Sequence, residues 1–256
     1  MKIIASDYDG TLRRHSGIEQ KDRDAVKEWR ANGNLFGIVT GRGQDFTKTV
    51  FEDDLELDFV IVYNGAVIYD FSADVNKDEA NLLKLMVGKT DRLYEMLPLI
   101  LRKSGDWAEF ITPDKVYYLT YNDESPNSRN NWAKNEVLKG VSEFIQIYSL
   151  YKSEREPLDI AKQLNDGFGD AASALVNGSW LNVAPAGVTK ASGVLEYAKI
   201  MSVGEGDIYT IGDSYNDLEM IKAFNGYTVE NGADEIKKAA KGVFGGVWEL
   251  ISSLNK

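Results

Sequence analysis

The chain has 256 residues and carries 40 Asp and Glu against 29 Lys and Arg, a formal net charge of −11. That sign disfavours broad contact with nucleic acid, which rests on lysine and arginine neutralising phosphates, but it still allows a small anionic substrate at a locally positive site. With no cysteine there is no disulfide, thiolate nucleophile, zinc–thiolate site or iron–sulfur cluster, and a hydrophobic fraction of 43% holds no apolar run of membrane-spanning length.

Lys2 to Ser6 reads as a short buried strand. The chain enters it at once, with no signal-peptide core, so secretion is not expected, the protein is read as cytoplasmic, and the sequon Asn177-Gly178-Ser179 is given no weight. Gln20 to Asn32 follows as a helix and Leu35 to Val39 as a second strand. Phe59 to Asp70 then reads as two β runs broken by the hairpin signal Asn64-Gly65. This βα alternation predicts an α/β fold with a parallel sheet.

From about residue 81 to 183 the texture changes. Leu82 to Lys103 is predicted helical with a break near Gly88, Trp107 to Tyr121 and Phe144 to Tyr151 are β-like, and another helix follows. The stretch is read as an inserted domain (81–183) dividing a core into residues 1–80 and 184–256. Asp207 to Ile211 resumes the strand pattern, followed by a helix through Asp217 to Ala223, a strand at Tyr227 to Val229 and a helix from Ala233.

Three strand ends carry the chemistry. Asp7-Tyr8-Asp9-Gly10-Thr11 offers two carboxylates two residues apart, which strand alternation places on one side, before a glycine that lets the chain turn away. Leu35 to Val39 ends in Thr40-Gly41-Arg42, and Asp207 to Ile211 ends in Gly212-Asp213-Ser214-Tyr215-Asn216-Asp217. Each alone also has a plain structural reading, as a turn, a surface loop or a helix cap. If the three strands are parallel neighbours, their polar ends converge at the carboxyl edge of the sheet, where α/β proteins bind ligands. Two carboxylates about 5 Å apart repel by about 3 kcal/mol at an effective dielectric of about 20, so Asp7, Asp213 and Asp217 cannot host a phosphate without a cation. All-oxygen ligands suit magnesium. Lys190, before an apolar helical run, is the candidate for a second fixed positive charge.

In this order, Asp-x-Asp-Gly-Thr, Thr-Gly-Arg, the lysine of Gly187-Val188-Thr189-Lys190 and Gly-Asp-Ser-x-Asn-Asp resemble the four motifs of the haloacid dehalogenase superfamily. The insertion between the second and third motifs, together with Asn64-Gly65-Ala66, resembles its Cof-like sugar-phosphate phosphatase branch. The resemblance implies a Rossmann-like doubly wound core with an inserted α+β cap, and a magnesium-dependent phosphatase acting on small phosphorylated metabolites. It implies Asp7 as nucleophile and metal ligand, and Asp9 as general acid and base with its carbonyl on the metal. Asp213 would be a further metal ligand and Asp217 a support behind it. Thr40, Gly41, Lys190 and Asn216 would hold the phosphoryl group, with Tyr8 and Arg42 beside them. Glu230-Asn231-Gly232 departs from relatives that carry Asn-Ala there, outside the catalytic set.

Rival readings are a phosphomutase, which would return the phosphoryl group to a sugar, and a non-enzymatic regulator phosphorylated on Asp7; a built-in acid and base at Asp9 argues against the second. The lone His15, in a polar loop, is read as a surface residue that supports no histidine-based mechanism. Gly88-Lys89-Thr90 lacks the first glycine of a phosphate-binding loop, and Gly167-Phe168-Gly169-Asp170-Ala171-Ala172 follows a helical run instead of a strand, so neither is read as nucleotide-binding. The inserted domain is expected to act as a lid. Trp107, Tyr117, Tyr118, Tyr121 and Trp180 would be suited to sugar rings, with hinges near residues 72–82 and 183–188.

Overall fold

The computed structural model describes residues 1–14, 17–43, 45–52, 55–72, 81–102, 106–121, 138 and 140–255. His15 lies outside them, as does most of the first expected hinge. The chain divides into two compact units, Met1–Leu85 with Thr189–Lys256, and Met86–Val188.

The first unit is built on strands β1 (Ile3–Ser6), β2 (Leu35–Val39), β3 (Phe59–Val62), β4 (Val67–Asp70) and β5 (Asn81–Leu85), with helices α1 (Gln20–Ala31) and α2 (Phe46–Glu52) between them. Runs such as Ile3-Ile4-Ala5-Ser6 and Phe59-Val60-Ile61-Val62 are buried at every position, the pattern of strands covered on both faces.

The second unit contains β6 (Gly88–Lys89), α3 (Leu93–Ile100), β7 (Trp107–Ile111), β8 (Val116–Thr120), β9 (Glu143–Phe144), β10 (Gln146–Leu150), α4 (Arg155–Phe168), β11 (Ala172–Asn177) and β12 (Trp180–Pro185). The chain then returns to the first unit through α5 (Lys190–Ile200), β13 (Ile208–Gly212), α6 (Leu218–Ala223), β14 (Asn225–Val229), α7 (Asp234–Ala239), β15 (Val243–Phe244) and α8 (Val247–Leu254).

The core sheet runs β15-β14-β13-β1-β2-β3-β4-β5, parallel from β15 through β3 and antiparallel at the β4–β5 edge. This is a Rossmann-like doubly wound α/β core. The chain moves outward from β1 in one direction through β2 and β3, and in the other through β13, β14 and β15. The order therefore reverses at β1, and a crevice forms outside the carboxyl ends of β1, β2 and β13. Val194, Tyr197 and Ala198 of α5 and Met220 of α6 pack on Ile3, Ala5, Val39, Phe59 and Ile61. Asp22 of α1, fully buried, accepts from the Trp248 N–H of α8 at 2.9 Å and from Arg14 at 2.9 Å, tying the last helix to the first. A carboxylate at a helix N-terminus is favoured by the dipole and by the unpaired N–H groups there.

The second unit is α+β. Its five-stranded sheet, β11-β12-β10-β7-β8, is antiparallel and packs Phe110, Ile147, Leu181 and Val183 on Leu97, Ile100, Ile160 and Leu164 of α3 and α4; β6 and β9 form a separate pair. The expected helix from Leu82 to Lys103 is not what forms. Asn81–Leu85 joins the core sheet beside β4, Gly88–Lys89 is a short strand, and among the described residues only Leu93–Ile100 is helical. Leucine and lysine favour helix locally, but the β4 edge offered this segment antiparallel pairing, interrupted by one register shift between Ile68 and Tyr69, and tertiary pairing overrode propensity. The second expected hinge also changes character. Ala184 and Pro185 are the end of β12, paired with Ser173 and Ala172, which leaves only residues 186–188 as loop.

Candidate active site

Asp7 immediately follows β1, and its N–H donates to the Ile211 carbonyl at 2.9 Å, extending the β1–β13 pairing by one bond. Its side chain is buried. Lys190, the first residue of α5 and itself 1% exposed, donates through Nζ to Asp7 Oδ1 and Asp217 Oδ1, both at 2.6 Å. A lysine at a helix N-terminus works against the dipole, so the two carboxylates are what hold it there. The helix start is fixed independently by a capping box in which Thr189 and Ser192 exchange hydrogen bonds.

Both oxygens of Asp217 are engaged: Oδ1 by Lys190, and Oδ2 by the N–H groups of Asp213 and Ser214 at 3.1 and 3.0 Å. Asp213 accepts from Thr11 Oγ1 at 2.7 Å. Gly10 makes that approach possible. Its φ of +87° suits glycine, and a Cβ there would stand 2.5 Å from an Asp213 carboxylate oxygen.

Asp7, Asp213 and Asp217 each place a carboxylate oxygen within 4.8 Å of the others. Against three carboxylates stands one buried lysine. Burial pushes the Asp7 carboxyl well above the ordinary carboxylate value; Lys190 opposes the shift, while Asp217 and Asp213 add to it. Burial also raises Asp213. For Lys190 burial works downward, but the Asp217 and Asp7 charges outweigh it and hold the ammonium above the usual lysine value. Asp7 Oδ2 is buried with no hydrogen-bond donor. An orphaned carboxylate oxygen beside a second raised carboxylate, with oxygen donors only, fits a hard divalent cation, which would take up the excess negative charge.

Asp9 is placed differently from its strand-alternation expectation. β1 ends at Ser6, so the two-residue period does not carry through to Asp9, which is exposed while Asp7 is buried. The Arg42 guanidinium forks onto it at 2.7 and 2.6 Å and lies over the rings of Tyr8 and Phe46. Arg42 thus touches the expected acid and base. Tyr8 is fully buried, its hydroxyl accepting from Arg13 at 3.0 Å, so its ring offers no surface to a ligand.

Thr40 is buried at the end of β2; its hydroxyl accepts from the Arg42 N–H at 3.1 Å, and its own N–H donates to Ile61. The Gly41 N–H donates to no group among the described residues. Asn216 donates to Asn64 Oδ1 at 3.3 Å.

In the sequence Asn64 stands in a hairpin signal and in the Asn64-Gly65-Ala66 run that carries part of the family resemblance. Val62 pairs with Val67, so the connection between β3 and β4 is Tyr63 to Ala66, and Asn64 is 1% exposed within it. Thr11 and Ser214 were likewise quoted within motifs without a role. An Asn-Gly pair signals left-handed backbone but not whether that backbone is buried.

Of the aromatics in the second unit, Trp107 and Trp180 cluster with Tyr148, whose ring stacks on Trp180 at 4.9 Å. Tyr117 and Tyr121 pack on that unit's core, and Tyr118 is 73% exposed.

Residues 4–247 match a family described as haloacid dehalogenase-like hydrolase. The chain is 25% identical to the 5-amino-6-(5-phospho-D-ribitylamino)uracil phosphatase YwtE of Bacillus subtilis, over 93% of this chain and 91% of that protein. Among solved structures, a haloacid dehalogenase-like hydrolase from B. subtilis superposes with a TM-score of 0.79 at 20% identity, covering 99% of this chain and 100% of that one. A sugar phosphatase of haloacid dehalogenase subclass IIB superposes at 0.74 with 17% identity, covering 100% and 99%. With a match over nearly its whole length and the reversal of strand order at β1 beside the aspartates, the chain belongs to the haloacid dehalogenase-like hydrolases.

Proposed function

We propose that this phosphatase of the haloacid dehalogenase type hydrolyses small phosphomonoesters with magnesium, through a phosphoryl group carried on Asp7. The observation behind the reading is the buried Asp7–Lys190–Asp217 arrangement, with Asp7 Oδ2 left without a donor beside Asp213. Asp7, Asp213 and the Asp9 carbonyl would hold the ion. Magnesium, when bound, neutralises phosphoryl oxygens and draws electron density from phosphorus.

Lys190 keeps Asp7 oriented and supplies a fixed positive charge beside the transferring group. Asp7 attacks phosphorus through a carboxylate oxygen, and the bond to the ester oxygen breaks. Asp9 gives its proton to that leaving oxygen, then takes one from the water that attacks the phosphorylated Asp7, which releases phosphate and restores the Asp7 carboxylate and the protonated Asp9. The Gly41 N–H, the Thr40 hydroxyl and the Asn216 amide are the neutral donors for the phosphoryl oxygens. Asp217, engaged on both oxygens, fixes Lys190 and the Asp213–Ser214 backbone.

Phosphate esters of sugars and sugar alcohols are the substrate class, in keeping with the phosphoribityl compound named for the B. subtilis relative. The net charge of −11 disfavours nucleic acid as a substrate, and among the described residues no helix is long and apolar enough to cross a membrane. We place the activity in the cytoplasm. The second unit is assigned the choice between substrates, since every residue given a role above lies outside it.

The test is release of inorganic phosphate from sugar phosphates, sugar-alcohol phosphates and nucleotides, with and without a chelator, by the natural protein and by Asp7→Asn. Turnover should need magnesium, need no bisphosphate activator and vanish in Asp7→Asn; more than about a tenth of the activity remaining in that variant would rule out the covalent route.

A further inference from the structure

Three non-glycine residues of the described chain have positive φ, and two of them are adjacent: Tyr63 and Asn64, each at +52°. Both are buried. Side chains other than glycine resist this conformation, and residues held in it cluster where the surrounding structure needs a particular geometry.

What surrounds this pair is the candidate site. The Tyr63 N–H donates to the Arg42 carbonyl at 2.9 Å and the Asn64 N–H to the Thr40 carbonyl at 3.0 Å, so the strained turn grips both ends of Thr40-Gly41-Arg42. The Asn64 side chain accepts from Asn216 on the far side of the site, and a Cβ on Gly41 would stand 3.0 Å from Asn64 Oδ1. Gly65 completes the turn against the start of α5. A Cβ there would lie 2.0 Å from the carbonyl of Thr189, the residue before Lys190, so no larger residue can take the place. One short segment after β3 therefore touches the loops after β2 and β13 and the helix that carries Lys190.

We propose that Asn64 is a positioning residue for the phosphoryl pocket. Its amide holds Asn216 and backs Gly41, so that donors from two different strands keep one spacing. The assignment rests on the reading that Thr40, Gly41 and Asn216 receive phosphoryl oxygens, and it adds a group that itself need not touch phosphate.

The experiment compares Asn64→Gly, Asn64→Ala, Asn216→Ala, Thr40→Ala and the double variant Asn64→Gly/Asn216→Ala. It measures inorganic phosphate as a competitive inhibitor, KM and kcat for p-nitrophenyl phosphate, and Tm. Asn64→Gly should raise the phosphate inhibition constant and KM about tenfold, the size of one lost net hydrogen bond, with a smaller change in kcat. Its Tm should stay above that of Asn64→Ala, because glycine accepts φ of +52° without strain. Asn64→Ala should show the same kinetic loss with a Tm about 2 to 8 °C below that of Asn64→Gly. The double variant should stay within about threefold of the larger single effect, since one side chain acts through the other. Multiplying effects, or Asn64→Gly within twofold of the natural protein while Asn216→Ala and Thr40→Ala weaken phosphate binding, would overturn the assignment alone. If Asn216→Ala and Thr40→Ala themselves leave phosphate inhibition unchanged, the pocket reading fails and takes this assignment with it.

Discussion

Replacing Lys190 with methionine keeps most of the side chain's length and removes the charge. The ammonium is 1% exposed and sits 2.6 Å from each of two carboxylates that are 6% and 0% exposed, so little solvent screens either contact. Removing one partner of a buried ion pair costs about 3–5 kcal/mol, because the charge left behind is uncompensated. For a domain of about 150–250 residues, 1 kcal/mol is worth about 2–4 °C, so Lys190→Met should lower Tm on the order of 6–20 °C in EDTA. Magnesium should then raise the variant's Tm more than that of the natural protein, because a bound dication offsets charge that Lys190 no longer does. Turnover should still fall about 10²- to 10³-fold with magnesium present, since under the proposed mechanism the lost cation also faces the transferring group. Thermal melts with and without magnesium, alongside phosphate release, separate the two effects. A variant melting within about 2 °C of the natural protein in EDTA would refute the electrostatic account of the site.

Asp9→Asn should reduce kcat/KM for an alkyl phosphate by about 10²- to 10⁴-fold and for p-nitrophenyl phosphate by much less, because a good leaving group needs no proton; equal losses would remove Asp9 as the acid. Asp22 carries a pH signature: burial holds its carboxyl above the ordinary value, opposed by the Trp248 N–H and Arg14, so folding takes up a proton there. The stability this contributes is present below the unfolded-state pKa and is lost as pH rises through the raised one. The difference in unfolding free energy between the natural protein and Asp22→Asn, from urea melts at about pH 4 to 7, should therefore favour the natural protein increasingly toward acid. A flat difference, or one of opposite slope, removes Asp22 from that account. Replacing residues 86–188 with a short linker, in a chain that still melts cooperatively, should flatten the ranking of phosphate esters while slow turnover of p-nitrophenyl phosphate persists; an unchanged ranking returns specificity to the core.

The core was legible because parallel strands buried on both faces have a plain signature, as in Lys2 to Ser6 and Leu35 to Val39, and because polar motifs at strand ends have little structural reason to recur together. What sequence could not supply was the state of each side chain. Asp7 and Asp9 look equivalent on paper, yet the strand ends at Ser6, before both; one is buried on a lysine and the other lies exposed on Arg42. Asn64 hid behind a hairpin signal that buried and exposed turns share. Asn81–Leu85 misled for a different reason: its residues favour helix, and only the presence of a free edge on β4, a long-range fact, decided otherwise. The aromatics of the second unit divide between core packing and a half-buried cluster, a distinction that depends on which face of each strand meets α3 and α4.

The same long-range character explains why the site resists reading one segment at a time. Lys190 meets Asp7 across 183 positions, Thr11 meets Asp213 across 202, and Asn216 meets Asn64 across 152. Each segment is locally ordinary: a strand end, a cap, a turn. They become a site because β1 is flanked by β2 on one side and β13 on the other, which brings loops of unrelated sequence position to one edge of the sheet. Once that order is set, the polar groups supply their own constraints: Lys190 needs both carboxylates to be buried as a cation, Asp217 needs the Asp213 and Ser214 amides, and Asp213 needs Thr11. Removing any one leaves a buried or half-buried partner unsatisfied, so the stability of the sheet's carboxyl edge and the geometry of the candidate site rest on the same hydrogen bonds. None of these bonds runs to residues 86–188. Under the proposed function, substitutions in that segment leave these hydrogen bonds intact.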